Sequence, residues 1–184
     1  MKKFVFLFFY FLMVLNIHSQ TNWSSFVAYH ARNINDVFIN DYNNICLVGG
    51  NKFNDSICSI FLSKDAGQTW QYIMDNISPW AKSITFTSSL NGYIVGDHGK
   101  ILKTTDGGEH WAPAVFDGRS DRAINALWSS GGPIFLAGAD DGLWRSLDGG
   151  IRWVKLAGSP EAVLSVVRHP HQNRLLITTA DQET

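Results

Sequence analysis

Ser63-Lys64-Asp65-Ala66-Gly67-Gln68-Thr69-Trp70, Thr104-Thr105-Asp106-Gly107-Gly108-Glu109-His110-Trp111 and Ser146-Leu147-Asp148-Gly149-Gly150-Ile151-Arg152-Trp153 are three copies of one pattern. Each reads Ser/Thr-x-Asp-x-Gly-x-x-Trp, and successive tryptophans stand 41 and 42 residues apart. A fixed period in this range marks a repeat architecture rather than a single irregular domain.

Between the boxes each unit carries four short apolar segments. In the second unit these are 83–87, 92–96, 100–104 and 111–115. Their counterparts in the third unit are 124–129, 134–138, 143–146 and 153–156, and in the first 36–40, 45–49, 59–63 and 70–74. They are β-branched or aromatic and separated by Gly, Asn and Asp turns, which is the signal of strands and hairpins. Helices are excluded, because apolar residues do not recur at helical spacing and glycine interrupts every segment. Four short strands per repeat predict an all-β fold, a β-propeller of four-stranded antiparallel blades. One blade exposes two apolar faces, and only neighbouring blades can cover them.

The first unit tests this register. Trp23 precedes it where an outer-strand tryptophan belongs, but Trp23 to Trp70 is 47 residues, six more than 41. The hairpin between the second and third strands of this unit runs from Gly50 to Cys58, whereas the second unit uses only Asp97-His98-Gly99. One insertion in that hairpin accounts for the difference. The count is then an outer strand at 22–29, three full blades, and two strands of a fourth at 162–169 and 174–180. That amounts to about 3.75 blades over residues 21–184, where closed rings hold about 4–8. The expectation is a fragment of a larger ring, or a ring completed by a second chain.

The residue types of the box suit a tight turn between third and fourth strands. Asp65, Asp106 and Asp148 are expected to accept bonds from backbone N–H groups two residues on. Gly67, Gly108 and Gly150 are expected to take the positive-φ position. Trp70, Trp111 and Trp153 are expected to pack between blades. Because the aspartates recur in every blade and point to different places around a ring, they are structural rather than catalytic or calcium-binding.

These boxes resemble the Asp-box (BNR) repeat, and the resemblance covers roughly residues 22–180. Propellers of that kind include sialidases, xyloglucan-type glycoside hydrolases, sortilin-type receptors and the photosystem II stability/assembly factor family. The stretch from Tyr93 to Gly108 is most similar to that last family and its non-photosynthetic bacterial relatives. The resemblance implies an extracytoplasmic binding or assembly module without a cofactor.

Composition agrees. The 184 residues are 45% hydrophobic and 17% charged, with 16 glycines and a net charge of −1, which fits a globular chain. So small a charge argues against nucleic acid as partner. Residues 1–20 read as a cleavable signal peptide: Lys2 and Lys3, then twelve apolar residues from Phe4 to Leu15, then a polar stretch with small Ser19. The run is shorter than the roughly 20 residues that span a bilayer, and no later segment is apolar enough to do so. The expected location is therefore secreted, periplasmic or cell-surface. Such a compartment would allow Cys46 and Cys58 to pair. Antiparallel pairing, however, sets Cys46 opposite a residue near Leu62, four positions from Cys58, which favours two small buried thiols.

Few residues are left over for chemistry. A sialidase needs an arginine cluster and a Phe/Tyr-Arg-Ile/Leu-Pro motif, and none of Arg32, Arg119, Arg122, Arg145, Arg152, Arg168 and Arg174 precedes Ile-Pro or Leu-Pro. Glycoside hydrolysis needs two opposed carboxylates. Asp97, Asp117, Asp121, Asp140, Asp141 and Glu161 mostly sit beside glycine in turns. His169-Pro170-His171 reads as a turn, so no metal site is expected.

Binding is better supported. The boxes mark one end of the blades. The other end collects the hairpin tips with Asp97, His98, Asp140 and Asp141, and the inter-blade links with Trp80, Arg119 and Arg122. Aromatic and arginine side chains are the usual anchors of interfaces. The expected function is a non-catalytic module for a protein or glycan partner. The alternative is the N-terminal part of a secreted propeller glycoside hydrolase, with its carboxylate pair completed outside this sequence.

Overall fold

The computed structural model describes residues 31–51, 58–77, 81–114, 122–169 and 174–180. The outer strand expected at 22–29, Trp80, Arg119, Asp117, Asp121 and the end of the chain lie outside them. The first blade is β1 (Ala31–Ile39), β2 (Ile45–Asn51), β3 (Cys58–Ser63) and β4 (Gln71–Ile77). The second is β5 (Ala81–Phe86), β6 (Gly92–Gly96), β7 (Ile101–Thr104) and β8 (Ala112–Ala114), and the third is β9 (Ile124–Ser129), β10 (Phe135–Ala139), β11 (Gly142–Ser146) and β12 (Val154–Lys155). A two-stranded sheet of β13 (Val163–Arg168) and β14 (Leu175–Thr179) follows.

Within each sheet the strands lie in chain order, and every pairing is antiparallel. The first strands β1, β5, β9 and β13 are also neighbours from sheet to sheet. They therefore line the axis of a β-propeller, and the fourth strands form its rim. The only helical turn among the described residues is a three-residue 3-10 turn, Asp97–Gly99. β1 starts five residues earlier than its expected segment, because its ladder with β2 runs back to Ala31↔Asn51.

The core lies between blades rather than within one. Trp111 shares a buried cluster with Cys46, Val48, Ile60 and Leu62 of the first blade. Trp153 does the same with Tyr93, Val95 and Ile101 of the second. Val163 and Val166 of the last sheet close over Ala126, Leu136 and Leu143 of the third. Trp111 and Trp153 thus each pack against the preceding blade. Trp111 and Trp153 are buried as expected, but Trp70 is only half-buried.

The expected turn chemistry needs one correction. The aspartate reaches four residues on, not two: Oδ1 of Asp65, Asp106 and Asp148 accepts the N–H of Thr69, His110 and Arg152 at 2.8, 3.0 and 2.9 Å. The first residue of the box, whose part the sequence pattern does not disclose, completes the turn. Ser63, Thr104 and Ser146 are buried, and each hydroxyl donates to the aspartate at 2.8, 2.7 and 2.9 Å. Each also accepts the N–H of Gly67, Gly108 or Gly150 at 2.8, 3.0 and 2.9 Å. The box glycines take positive φ as expected (86°, 98° and 85°). Each tryptophan Nε1 donates to the carbonyl of the glycine three residues before it. The box end also abuts the β1–β2-type turn of its own blade through Ala66 N–H to Asn43 O, Gly107 N–H to Leu90 O and Gly149 N–H to Pro133 O.

Ala66 stands at φ 59° where the other boxes have Gly107 and Gly149. A side chain in the left-handed region costs about 1–2 kcal/mol, partly offset by the greater unfolded-state entropy of glycine. Ala66→Gly is therefore expected to raise stability by roughly 0.5–1 kcal/mol. Thermal unfolding checks this, and a lower melting temperature would contradict it.

Cys46 pairs with Leu62, as the register predicted, and Cys58 pairs with Gly50. Both thiols are free and buried. Burial pushes the Cys46 thiol up to about 12 and raises Cys58 as well. Cys58 donates its S–H to the Gly49 carbonyl at 2.8 Å.

Candidate functional site

The loop end is built by the β2–β3-type hairpin tips and the links between blades. In the second blade the 3-10 turn places His98 at φ 56° and Gly99 at φ 64°, and leaves the His98 ring exposed at the tip. Asp97 does not face solvent alone. Its Oδ1 lies 2.7 Å from Lys82 Nζ, at the start of β5. Lys82 also donates to Asn125 Oδ1 of the third blade at 3.0 Å. Asn125 Nδ2 in turn donates to Asp140 Oδ1 at 2.9 Å and to the Val163 carbonyl of the last sheet at 3.2 Å.

Asp97, Lys82, Asn125 and Asp140 thus form one polar chain that links three sheets near the axis. Asn35 holds the same place in β1 and donates to the Ala81 carbonyl at 2.7 Å. In β5 and β9 the polar residue, Lys82 or Asn125, directly follows the first buried residue, Ala81 or Ile124, and this is the sequence signal of the chain. It is visible only when the copies are aligned on their first strands.

Asp141 serves its own hairpin. It accepts the Trp144 indole N–H at 2.9 Å and lies 3.8 Å from Lys155 Nζ. Trp144 is buried, whereas Trp128 is half-buried. Arg122 is exposed beside this end. The structure therefore joins Asp97 and Asp140, keeps Asp141, His98 and Arg122 at the same end, and does not describe Trp80 or Arg119.

Among the described residues the carboxylates with a displaced pKa are Asp41, Asp65, Asp106 and Asp148, and all four are lowered by hydrogen bonds from backbone N–H groups and neighbouring side chains. A general acid for sugar cleavage needs the opposite shift. Among the described residues no group of three His, Cys, Asp or Glu side chains could hold a metal ion. No helix among them is long and apolar enough to cross a membrane.

The family model of the photosynthesis system II assembly factor YCF48 matches residues 73–172, more than half of the chain. The chain belongs to this family. Solved structures agree on the fold. YCF48 bound to D1 peptide superposes with a TM-score of 0.64 at 23% identity, covering 78% of this chain and 47% of that one. YCF48 from Cyanidioschyzon merolae gives 0.58 at 13% identity, covering 85% and 59%. The GH74 enzyme of Niastella koreensis gives 0.68 at 16% identity, covering 91% and 30%. The chain thus spans about half the length of the YCF48 chains it matches. No curated protein matches its sequence.

Proposed function

We propose that this chain is an extracytoplasmic propeller module that binds a protein partner and does not catalyse. The observation that carries this reading is the chain Asp97–Lys82–Asn125–Asp140. The loop-end carboxylates of adjacent blades are each held by a nitrogen of the scaffold, and so keep the blades in register. Family membership and the YCF48 structure with its D1 peptide favour a protein as partner over a glycan. The apolar run Phe4–Leu15 behind Lys2 and Lys3 supports export.

The GH74 likeness supports the shape only and keeps hydrolysis as the second reading. Release of nitrophenol from aryl glycosides separates the two. No turnover is expected. Turnover abolished by Asp97→Asn or Asp140→Asn would replace the binding reading with the enzyme. In co-purification of the exported chain with its partner, Trp80→Ala is expected to weaken capture by about tenfold, as a central aromatic anchor does. Its far-UV circular dichroism should stay unchanged; loss of folding would assign Trp80 to the core. Mass spectrometry of the exported chain should find its N-terminus near Gln20 or Thr21.

A further inference from the structure

The repeats can be compared place by place, and one inter-blade seam differs from its neighbour. Between the first and second blades, Leu62 immediately precedes the box and is buried against the next blade. A Cβ built on Gly108 would meet Leu62 Cδ1 at 3.7 Å and Cys46 Sγ at 3.6 Å, so this seam is filled. The outer lip is closed by an ion pair between Lys64 of the first box and Glu109 of the second.

Between the second and third blades the corresponding residues are Lys103 for Leu62, Thr105 for Lys64 and Ile151 for Glu109. The seam is open there. Among the described residues, a Cβ on Gly150 would touch only the ring of its own Trp153. A cleft of about 240 Å³ remains, with Ile101, Leu127, Phe135 and Trp153 on its walls. Its lip is Ile151, 72% exposed, with no ion pair across it among the described residues.

Lys103 stands in the cleft wall with its ammonium 5.5 Å from the centre of the Tyr93 ring. No carboxylate of the described residues lies within ion-pair reach of it. The cleft falls below the roughly 300–1,000 Å³ of sites for drug-sized molecules and suits one side chain. A cation at the edge of an apolar slot selects an apolar group next to a negative charge.

We propose that the cleft between the second and third blades is a docking site for an acidic peptide segment. One aliphatic or aromatic side chain enters between Leu127, Phe135 and Ile151, and a flanking carboxylate pairs with the Lys103 ammonium. This site lies at the box end, opposite the loop end of the proposed function, and stands or falls independently of it.

The test is fluorescence anisotropy of the full chain with a labelled peptide of alternating Glu and Leu. Saturable binding is expected, weakened about five- to tenfold when Gln replaces Glu or Ser replaces Leu in the peptide. Lys103→Leu should weaken binding about as much without lowering the melting temperature, because Leu62 already fills the same place in the first blade. The double variant Thr105→Lys with Ile151→Glu, which installs the lip pair of the first seam, should also weaken it. Absence of saturable binding overturns the proposal. So does equal binding of the Gln peptide, which would make the slot a purely apolar groove, or unchanged binding by Lys103→Leu.

Discussion

Trp111→Ala is expected to lower the stability of the chain by about 3–5 kcal/mol, the cost of deleting a large buried aromatic ring. Trp111 is 6% exposed and belongs to the cluster that joins the first blade to the second. Its ring meets Phe86 edge-on, with centroids 6.0 Å apart and planes at 80°. The substitution removes that contact, leaves a cavity at the seam, and takes away the indole N–H that the Gly108 carbonyl accepts at 3.0 Å. Gly108 is buried, so its carbonyl loses a partner that water cannot easily replace. In a repeat protein, stability is a sum of blade terms and seam terms, and this substitution weakens a seam. Urea unfolding should therefore show a lower midpoint and a broader transition, as the first blade uncouples from the second. Trp70→Ala, at a half-buried ring, should cost distinctly less. Equal losses for the two variants would contradict the seam account.

The fold was legible because its signals are local and repeated. The box fixes the turn between third and fourth strands, and the Gly-flanked apolar runs fix the others. Even register follows from them: the spacing sets Cys46 opposite a residue near Leu62, and it pairs with Leu62. The insertion between Gly50 and Cys58 was read from spacing alone, and β2 does end at Asn51 and β3 begin at Cys58. What the pattern hid was any bond between blades. Lys82 and Asn125 are 43 residues apart, and Asn35 and Ala81 are 46 apart. The residue type also changes from copy to copy at that place, so no motif announces it.

The box hydroxyl was hidden differently. Ser and Thr fit so many turns that their presence at the first box position did not show that the side chain turns inward. Asx turns usually reach two residues on, whereas the box loop brings the fourth N–H back over the carboxylate. The open seam at Lys103 lies between these cases. Every residue that makes it is plain in the sequence, but the difference from Leu62 acquires meaning only once both are known to face a neighbouring blade.

Thr104→Val should show how much the hidden hydroxyl contributes, with an expected loss of about 1–3 kcal/mol at neutral pH. Valine has nearly the shape of threonine, so packing at this 1% exposed position is kept and only the oxygen is lost. That oxygen donates to Asp106 Oδ1 at 2.7 Å and accepts the Gly108 N–H at 3.0 Å. Removing it strands a buried N–H, the costly half of the change.

The carboxylate half can be isolated by pH. The His110 backbone N–H, then the Thr104 hydroxyl, then the His110 ring hold the Asp106 carboxyl well below its usual value of 3.8. A carboxyl depressed in the folded state adds stability that is fully present above its unfolded pKa. That stability is lost as pH falls through the folded value. The parent chain should accordingly keep this contribution at neutral pH and lose it only in acid, below about pH 4. With valine at 104 one donor to the carboxylate is gone, and the folded-state pKa of Asp106 rises toward the ordinary value. The difference in unfolding free energy between parent and variant should therefore be larger at pH 7 than at pH 3. Chemical denaturation at the two pH values measures it. An equal difference at both would mean that the hydroxyl works through the Gly108 N–H alone. A larger one at pH 3 would contradict the bond to Asp106 altogether.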